Sequence, residues 1–258
     1  MMNQWQIPRT LFLAVLLVIL FFCEQFWPAR PWHEKRWRRW GFHLSLSFFN
    51  TVLTRLCMIG LIVFWIEYVQ AKQWGMVQRL HLNGISEILL TIIVFDGLNY
   101  WWHRWNHRIP FLWRFHRVHH FDTHVDTSTA LRFHFGELFL SYFVKAIWVL
   151  WWGPSLAAFL CFETAITAYA LFHHTNIDFP NQIEQGLRWI HMTPRVHASH
   201  HTVSLRTRDA NFSTIFMIWD RIFSTFREPD FEEMKTLGVT KEPADDLSWK
   251  VLLFSPFQ

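Results

Sequence analysis

Four apolar stretches dominate this chain, and their length decides what it can become. Residues 7–27 (IPRTLFLAVLLVILFFCEQFW) hold a run close to the length that crosses a bilayer. They lack a convincing basic n-region and a small-residue cleavage site, so they read as an uncleaved helix rather than a signal peptide. Residues 42–70 form a second stretch, with Arg55 near its middle, which must face protein or snorkel. Residues 85–102 form a third. Residues 135–171 are apolar again but broken at Gly153-Pro154, which suits a hairpin of two short spans. An all-α, multi-pass membrane protein with about four to five transmembrane helices is expected, the last two being that hairpin.

The segments between are polar and punctuated. Residues 28–41 (PARPWHEKRWRRWG) carry Arg30, Lys35, Arg36, Arg38 and Arg39 among Trp32, Trp37 and Trp40. This reads as a membrane-surface segment that the positive-inside rule puts in the cytoplasm. The formal charge of +4 then reflects membrane anchoring, not nucleic-acid binding. Counting spans from there, residues 103–134 and 172–258 lie on that same cytoplasmic side, as a helical cap. The expected division is 1–84 for N-terminal membrane helices, 85–228 for a catalytic unit and 229–258 for a tail. Cys23, Cys57 and Cys161 sit inside apolar stretches, with no CxxC pair. Trp101, Trp102, Trp113, Trp151 and Trp152 read as interfacial aromatics.

Histidine is the unusual residue. Thirteen of the sixteen fall between positions 103 and 201. They form four groups: His103-x3-His107, His116-x2-His119-His120, the pair His173-His174, and His197-x2-His200-His201. Residues three or four apart share a helix face, so the first, second and fourth groups each aim their rings one way. Pro110 separates the first two groups, and Thr193-Pro194 makes an N-cap and first helical residue for the last. One first-row ion accepts about six ligands at most, so so many imidazoles imply two metals. Imidazole suits iron, zinc, copper and nickel alike. His33, His43 and His81 read as ordinary interface residues, and His124 and His191 as surface or packing residues.

The stretch DGLNYWWHRWNHRIPFLWRFHRVHH (Asp96–His120) resembles the signature of the fatty acid hydroxylase / sterol desaturase superfamily. TPRVHASHH (Thr193–His201) resembles its closing histidine motif, and NFSTIFMIWDRIFSTF (Asn211–Phe226) the tail that follows. The resemblance covers roughly residues 85–228. It implies a membrane-bound enzyme with two iron ions that uses O2 and two electrons to hydroxylate or desaturate a lipid; zinc could replace iron in purified protein. It implies His103, His107, His116, His119, His120, His174, His197, His200 and His201 as metal ligands, with His173 the alternative to His174. Ser213 and Ser224 stand where the family often has glycine, which bears on the turns of the tail.

Around these ligands, Asp96, Tyr100, His103 and His107 fall on one helical stripe. Asp96 could accept a ligand N–H or pair with Arg104 or Arg108. Arg132 and His134 are candidates for a place beside the metal or the substrate, and Asn211 and Asp220 for hydrogen bonds that hold the cap. No Glu-x-x-His, HExxH or GxGxxG motif occurs. Without a flavin or nicotinamide motif, electrons must come from a separate donor, ferredoxin-like or cytochrome b5-like, on a basic face. The resemblance implies a lipid substrate taken from the bilayer: a sterol, fatty acyl chain, ether lipid or carotenoid. A histidine-rich metal transporter or sensor, or a zinc-dependent membrane hydrolase, would show metal flux or hydrolysis instead.

Overall fold

The computed structural model describes residues 2–32, 36–240 and 247–257, with side chains from residue 7 onward. His33 and Lys35 lie outside the described residues. Those residues form helices joined by turns, with three isolated β-bridges and no strands. The main helices are α1 (Met2–Phe26), α2 (Arg36–Thr54), α3 (Gly60–Ala71), α4 (Met76–Arg79), α5 (Gly84–Arg108), α6 (Pro110–His120), α7 (Phe135–Trp152), α8 (Leu156–His173), α9 (Asn181–Ile190) and α10 (Pro194–His200). Four helical segments among them are long and apolar enough to cross a membrane: 7–26, 36–79, 135–152 and 156–173.

The breaks follow local chemistry. Pro110 opens α6 after an extended Ile109, because proline needs no N–H partner in a first turn. Ser155 caps α8 through the Ala158 N–H. Gly153 ends α7 in the left-handed region (φ +73°), where a Cβ would run into the Trp74 carbonyl. Opposite it, Gly75 (φ +105°) packs so closely that its own Cβ would lie 2.6 Å from the Gly153 backbone. Gln70 and Gln78 then donate to the Gly153 carbonyl at 2.7 and 2.9 Å. The two glycines thus zip the α7–α8 tip to the α3–α4 turn at one end of the bundle.

α2 and α3 are one rod with a π-helical turn at Arg55–Ile59. Arg55 is exposed there, so it does not face protein; snorkelling remains for its charge. α5 is long enough to span but is not among the four apolar segments, because its inward stripe carries Glu87, Thr91, Asp96 and His107. It buries those groups among α6, α7 and α8. Trp102 and Trp152 lie in that core at 8% and 5% exposure rather than at an interface, and the Trp152 indole donates to Thr91 Oγ1 at 2.8 Å. The helix interior takes up their large apolar area.

The cationic segment also departs from expectation. Arg36 and Arg39 are buried, not spread on a surface. Arg39 grips Asp122 with both nitrogens and sits 3.6 Å from Asp126. Glu24, at the end of α1, accepts the Thr127 and Asn176 N–H groups and the Thr127 hydroxyl, each at 2.7 Å. Among the described basic and aromatic residues of the segment, Trp37 and Arg38 keep the exposed face that the sequence suggests. His43 belongs to the same network: it is fully buried, with Nδ1 2.8 Å from Ser128 Oγ. Buried carboxylates need a paired charge, so the cations turn inward to neutralise Glu24, Asp122 and Asp126.

Gly153→Ala should lower stability by about 2 kcal/mol, since it combines a clash with a positive φ. Thermal unfolding in detergent, compared with Gly186→Ala at a position where a Cβ meets nothing, checks this.

Candidate metal centre

At the end of the bundle opposite Gly153, the last turn of α5, α6, the end of α8 and α10 converge. They bring nine imidazoles together in two groups. His103, His107, His116, His120 and His200 form one; His119, His174, His197 and His201 form the other. Within each group, one ring nitrogen per residue lies within 4.8 Å of all the others. His173 joins neither; its Nδ1 lies 3.3 Å from the Thr214 carbonyl.

The rings are aimed by what their Nδ1 atoms bond. His103 meets the Phe212 carbonyl (2.8 Å), His119 that of Arg132 (3.1 Å), His174 that of Ala170 (2.7 Å) and His200 that of Ala210 (2.7 Å). His116 meets a carboxylate, Glu137 Oε1, at 2.9 Å. A carbonyl can only accept, so Nδ1 carries the proton in the first four and Nε2 is left with a bare lone pair. Those lone pairs face one another. His119 and His174 have Nε2 atoms 3.0 Å apart, and His103 and His200 3.1 Å.

Two proton-free nitrogens at that distance repel unless a cation lies between them. Around an ion with metal–nitrogen bonds of about 2.1 Å, neighbouring ligand atoms are about 3 Å apart. The crowding therefore fits a pair of metal ions. So do the buried ring nitrogens of His107 and His120 and Nε2 of His116, which have no hydrogen-bond partner. Burial, followed by the nearness of other imidazoles, pushes His120, His197 and His201 well below the usual histidine range; burial brings His174 down to about 4. The neutral form is the one a metal needs.

The residues expected around the ligands mostly act at one remove. Asp96 touches no imidazole of either group and neither Arg104 nor Arg108. Its carboxylate accepts the Ile215 and Phe216 N–H groups at 3.0 Å and the Trp219 indole at 2.8 Å. Tyr100 hydrogen-bonds Thr225 at 2.8 Å and stacks on Phe223. Asp220 accepts the N–H groups of Phe212 and Ser213 at 2.9 and 2.8 Å. Asn211, at φ +57°, bridges Ser199 and Arg227. All four fasten the strip 210–226, whose carbonyls at Ala210 and Phe212 orient His200 and His103. Ser224, where the family often has glycine, adopts φ +55°, so the turn keeps the glycine-like backbone.

Arg132 is buried, donates to the Val118 carbonyl at 2.8 Å, and lends its own carbonyl to His119. His134 caps α7 by accepting the Gly136 N–H at 2.9 Å and belongs to neither group. Trp113, expected at an interface, lies with its ring 5.0 Å from that of His107 and 5.5 Å from that of His120, roofing the five-histidine group. His191 bonds the Tyr169 hydroxyl at 3.0 Å, away from the cluster. Glu137 is the residue that the sequence reading missed. Its signal is an acidic residue in the first turn of an apolar span.

Removing the Glu137 carboxylate should loosen His116. Glu137→Leu is expected to lower metal affinity by about 10- to 100-fold, and Glu137→Gln by less, because the amide oxygen still accepts. Competition against a chelator reads this directly, and equal affinity in all three proteins would overturn it.

A sequence model of the fatty acid hydroxylase family matches residues 88–225, more than half of the chain. The chain is 28% identical to an ornithine lipid hydroxylase of Rhizobium tropici over 61% of its own length and 47% of that protein's. It is 34% identical to the alkylglycerol monooxygenase of Danio rerio over 65% of its length and 36% of that protein's. To the cholesterol 25-hydroxylase of Mus musculus it is 25% identical, over 58% and 49%. The chain thus aligns with about half or less of each of these relatives. No solved structure matches it. The histidine spacing, the converging helices and the extent of the family match lead to one assignment: the chain belongs to the fatty acid hydroxylase family.

Proposed function

We propose that this protein hydroxylates an unactivated C–H bond of a membrane lipid, using O2, two electrons from a separate donor and two iron ions held by the five- and four-histidine groups. The observation that carries the reading is the gathering of nine imidazoles in two adjoining sets, with Nε2 lone pairs facing one another between His119 and His174 and between His103 and His200. The family relatives are named hydroxylases and monooxygenases, which favours hydroxylation over desaturation. Residues 85–228 form the catalytic unit in this reading, 1–84 the membrane helices and 229–258 a tail. The site lies on the cytoplasmic side, where a ferredoxin-like or cytochrome b5-like donor would dock.

The bound ions would supply O2 reduction, with one oxygen atom going to the lipid and the other to water. The chain's own residues do the rest. Carbonyls of Phe212, Arg132, Ala170 and Ala210 keep each Nδ1 protonated and each Nε2 free. Trp113 and Phe212 cover the five-histidine group and exclude water. A cavity of about 270 Å³ reaches His103, His116, His119, His174 and His197 from between α5, α7 and α8. It gives a lipid chain a route from the bilayer to the metals and fixes which carbon arrives there.

A metal transporter would string its ligands along a membrane path. Here they are gathered at one end of the bundle, which disfavours that role. A zinc hydrolase site keeps about three protein ligands and an open position, not five and four.

Purified protein loaded with Fe(II), given reductant, O2 and a membrane lipid extract, should form hydroxylated lipid with matching O2 uptake. His119→Ala and His200→Ala, one from each group, should each abolish the product while helix content is retained. Full turnover by either variant, or none by the iron-loaded wild type across the lipid classes, defeats the proposal.

A further inference from the structure

The cavity that reaches the histidines also reaches a pair of charges in the middle of the membrane hairpin. Lys145 stands midway along α7 and Glu163 midway along α8, and Nζ donates to Oε1 at 2.6 Å. Both side chains line the cavity and are partly open to it, at 15% and 19% exposure. Charges at that depth are costly and are kept where they do something. A pair that only tied α7 to α8 would repay its desolvation best with its remaining donors and acceptors bonded to the protein. This one is left open on the side that leads to the metal centre.

Near the ion pair, the other polar groups of the cavity wall are already spent, whereas Asn106 Oδ1 and Glu137 Oε2, unpartnered, lie at the histidine end. Ser141 donates to the Leu138 carbonyl, Thr167 to the Glu163 carbonyl, and Asn99 to Thr214. Among the described residues, the mutual bond is the only hydrogen bond that the Lys145 ammonium or the Glu163 carboxylate makes. Two ammonium hydrogens and one carboxylate oxygen therefore remain for a ligand. Arg9 comes near from α1 but gives its hydrogens to Thr164 Oγ1 and the Glu163 carbonyl, and it does not line the cavity.

We infer that Lys145 and Glu163 form the polar-end subsite of the substrate cavity, which binds a neutral group that both donates and accepts, such as the hydroxyl of a long-chain lipid. The inference rests on the cavity being the lipid route proposed above. Facing the cavity, the two charges sum to zero. A carboxylate or phosphate arriving there would leave an unbalanced charge in a low-dielectric site, whereas a hydroxyl satisfies both partners and leaves none. From Glu163 to His174 along α8 is about 16 Å at 1.5 Å per residue, a length that an alkyl chain can bridge. Holding one end at this pair then sets which carbon lies at the metals, so these are specificity-determining residues and not catalytic ones.

The test is binding by metal-loaded protein in nanodiscs without reductant, so that nothing turns over. 1-Hexadecanol, hexadecyl methyl ether and palmitate compete with a fluorescent long-chain alcohol. Wild type should bind hexadecanol at least about tenfold more tightly than the ether, which cannot donate, or palmitate, which brings charge. Glu163→Gln and the double variant Lys145→Met/Glu163→Leu should bring the alcohol and the ether to within about twofold. Equal affinity for alcohol and ether in the wild type, tighter binding of palmitate, or an unchanged preference in the double variant each overturn the inference. The wild-type comparison holds even if the double variant fails to fold. Turnover is read separately after reductant is added. Alcohol preference without product removes the hydroxylase reading and leaves the subsite standing; product without alcohol preference does the reverse.

Discussion

The centre depends on one kind of hydrogen bond, an imidazole Nδ1–H held by a backbone carbonyl. Left free, each ring could flip or change tautomer and take its lone pair away from the pocket. A carbonyl that can only accept removes both freedoms, and it does so at His103, His119, His174 and His200. The consequence is a set of facing lone pairs, whose mutual repulsion the fold must oppose. The fold must therefore be stiff enough to hold the set, and much of the remaining structure supplies that stiffness.

That stiffness comes from charges placed where a solvent-facing protein would not put them. Asp96 and Asp220 use their oxygens on the backbone of the strip 212–216, so the strip cannot slide and take its carbonyls off His103 and His200. On the other flank, Arg39, Asp122, Asp126 and Glu24 pin the connector between α6 and α7, which carries the Arg132 carbonyl beneath His119. Breaking a buried pair costs more than making it gains, so these networks act more as locks on geometry than as sources of stability.

This division explains what the sequence could and could not disclose. Helix periodicity and histidine spacing carry the facts that matter for side chains sharing a face, so the nine rings that meet all come from the ten in the spaced groups, and His173 alone of them stays out. Pro110 and Gly153-Pro154 mark breaks because their effect is local. The acceptors of the ring protons are main-chain atoms, which no residue identity announces. Asp96 shares a stripe with His103 and His107, yet that stripe turns from the cap to the metal pocket within two helical turns, so the shared face misled. Arg36 and Arg39 look like surface charge until the acidic partners, more than eighty residues from Arg39, fold onto it. Trp102 and Trp152 have the composition of an interface and the position of a core.

The same logic separates the two kinds of buried charge. Each oxygen of Asp122 and Asp220 already holds a partner, so nothing further can bind there without displacing a bond that the metal pocket relies on. Lys145 and Glu163 carry one bond between them and face an open cavity. A chain built only to be rigid would have closed that pair with a neighbouring hydroxyl, and Ser141 and Thr167 stand on the same wall with their protons turned to their own helices. One cavity thus joins two places with unfilled hydrogen-bonding capacity, the imidazole lone pairs and the hairpin ion pair.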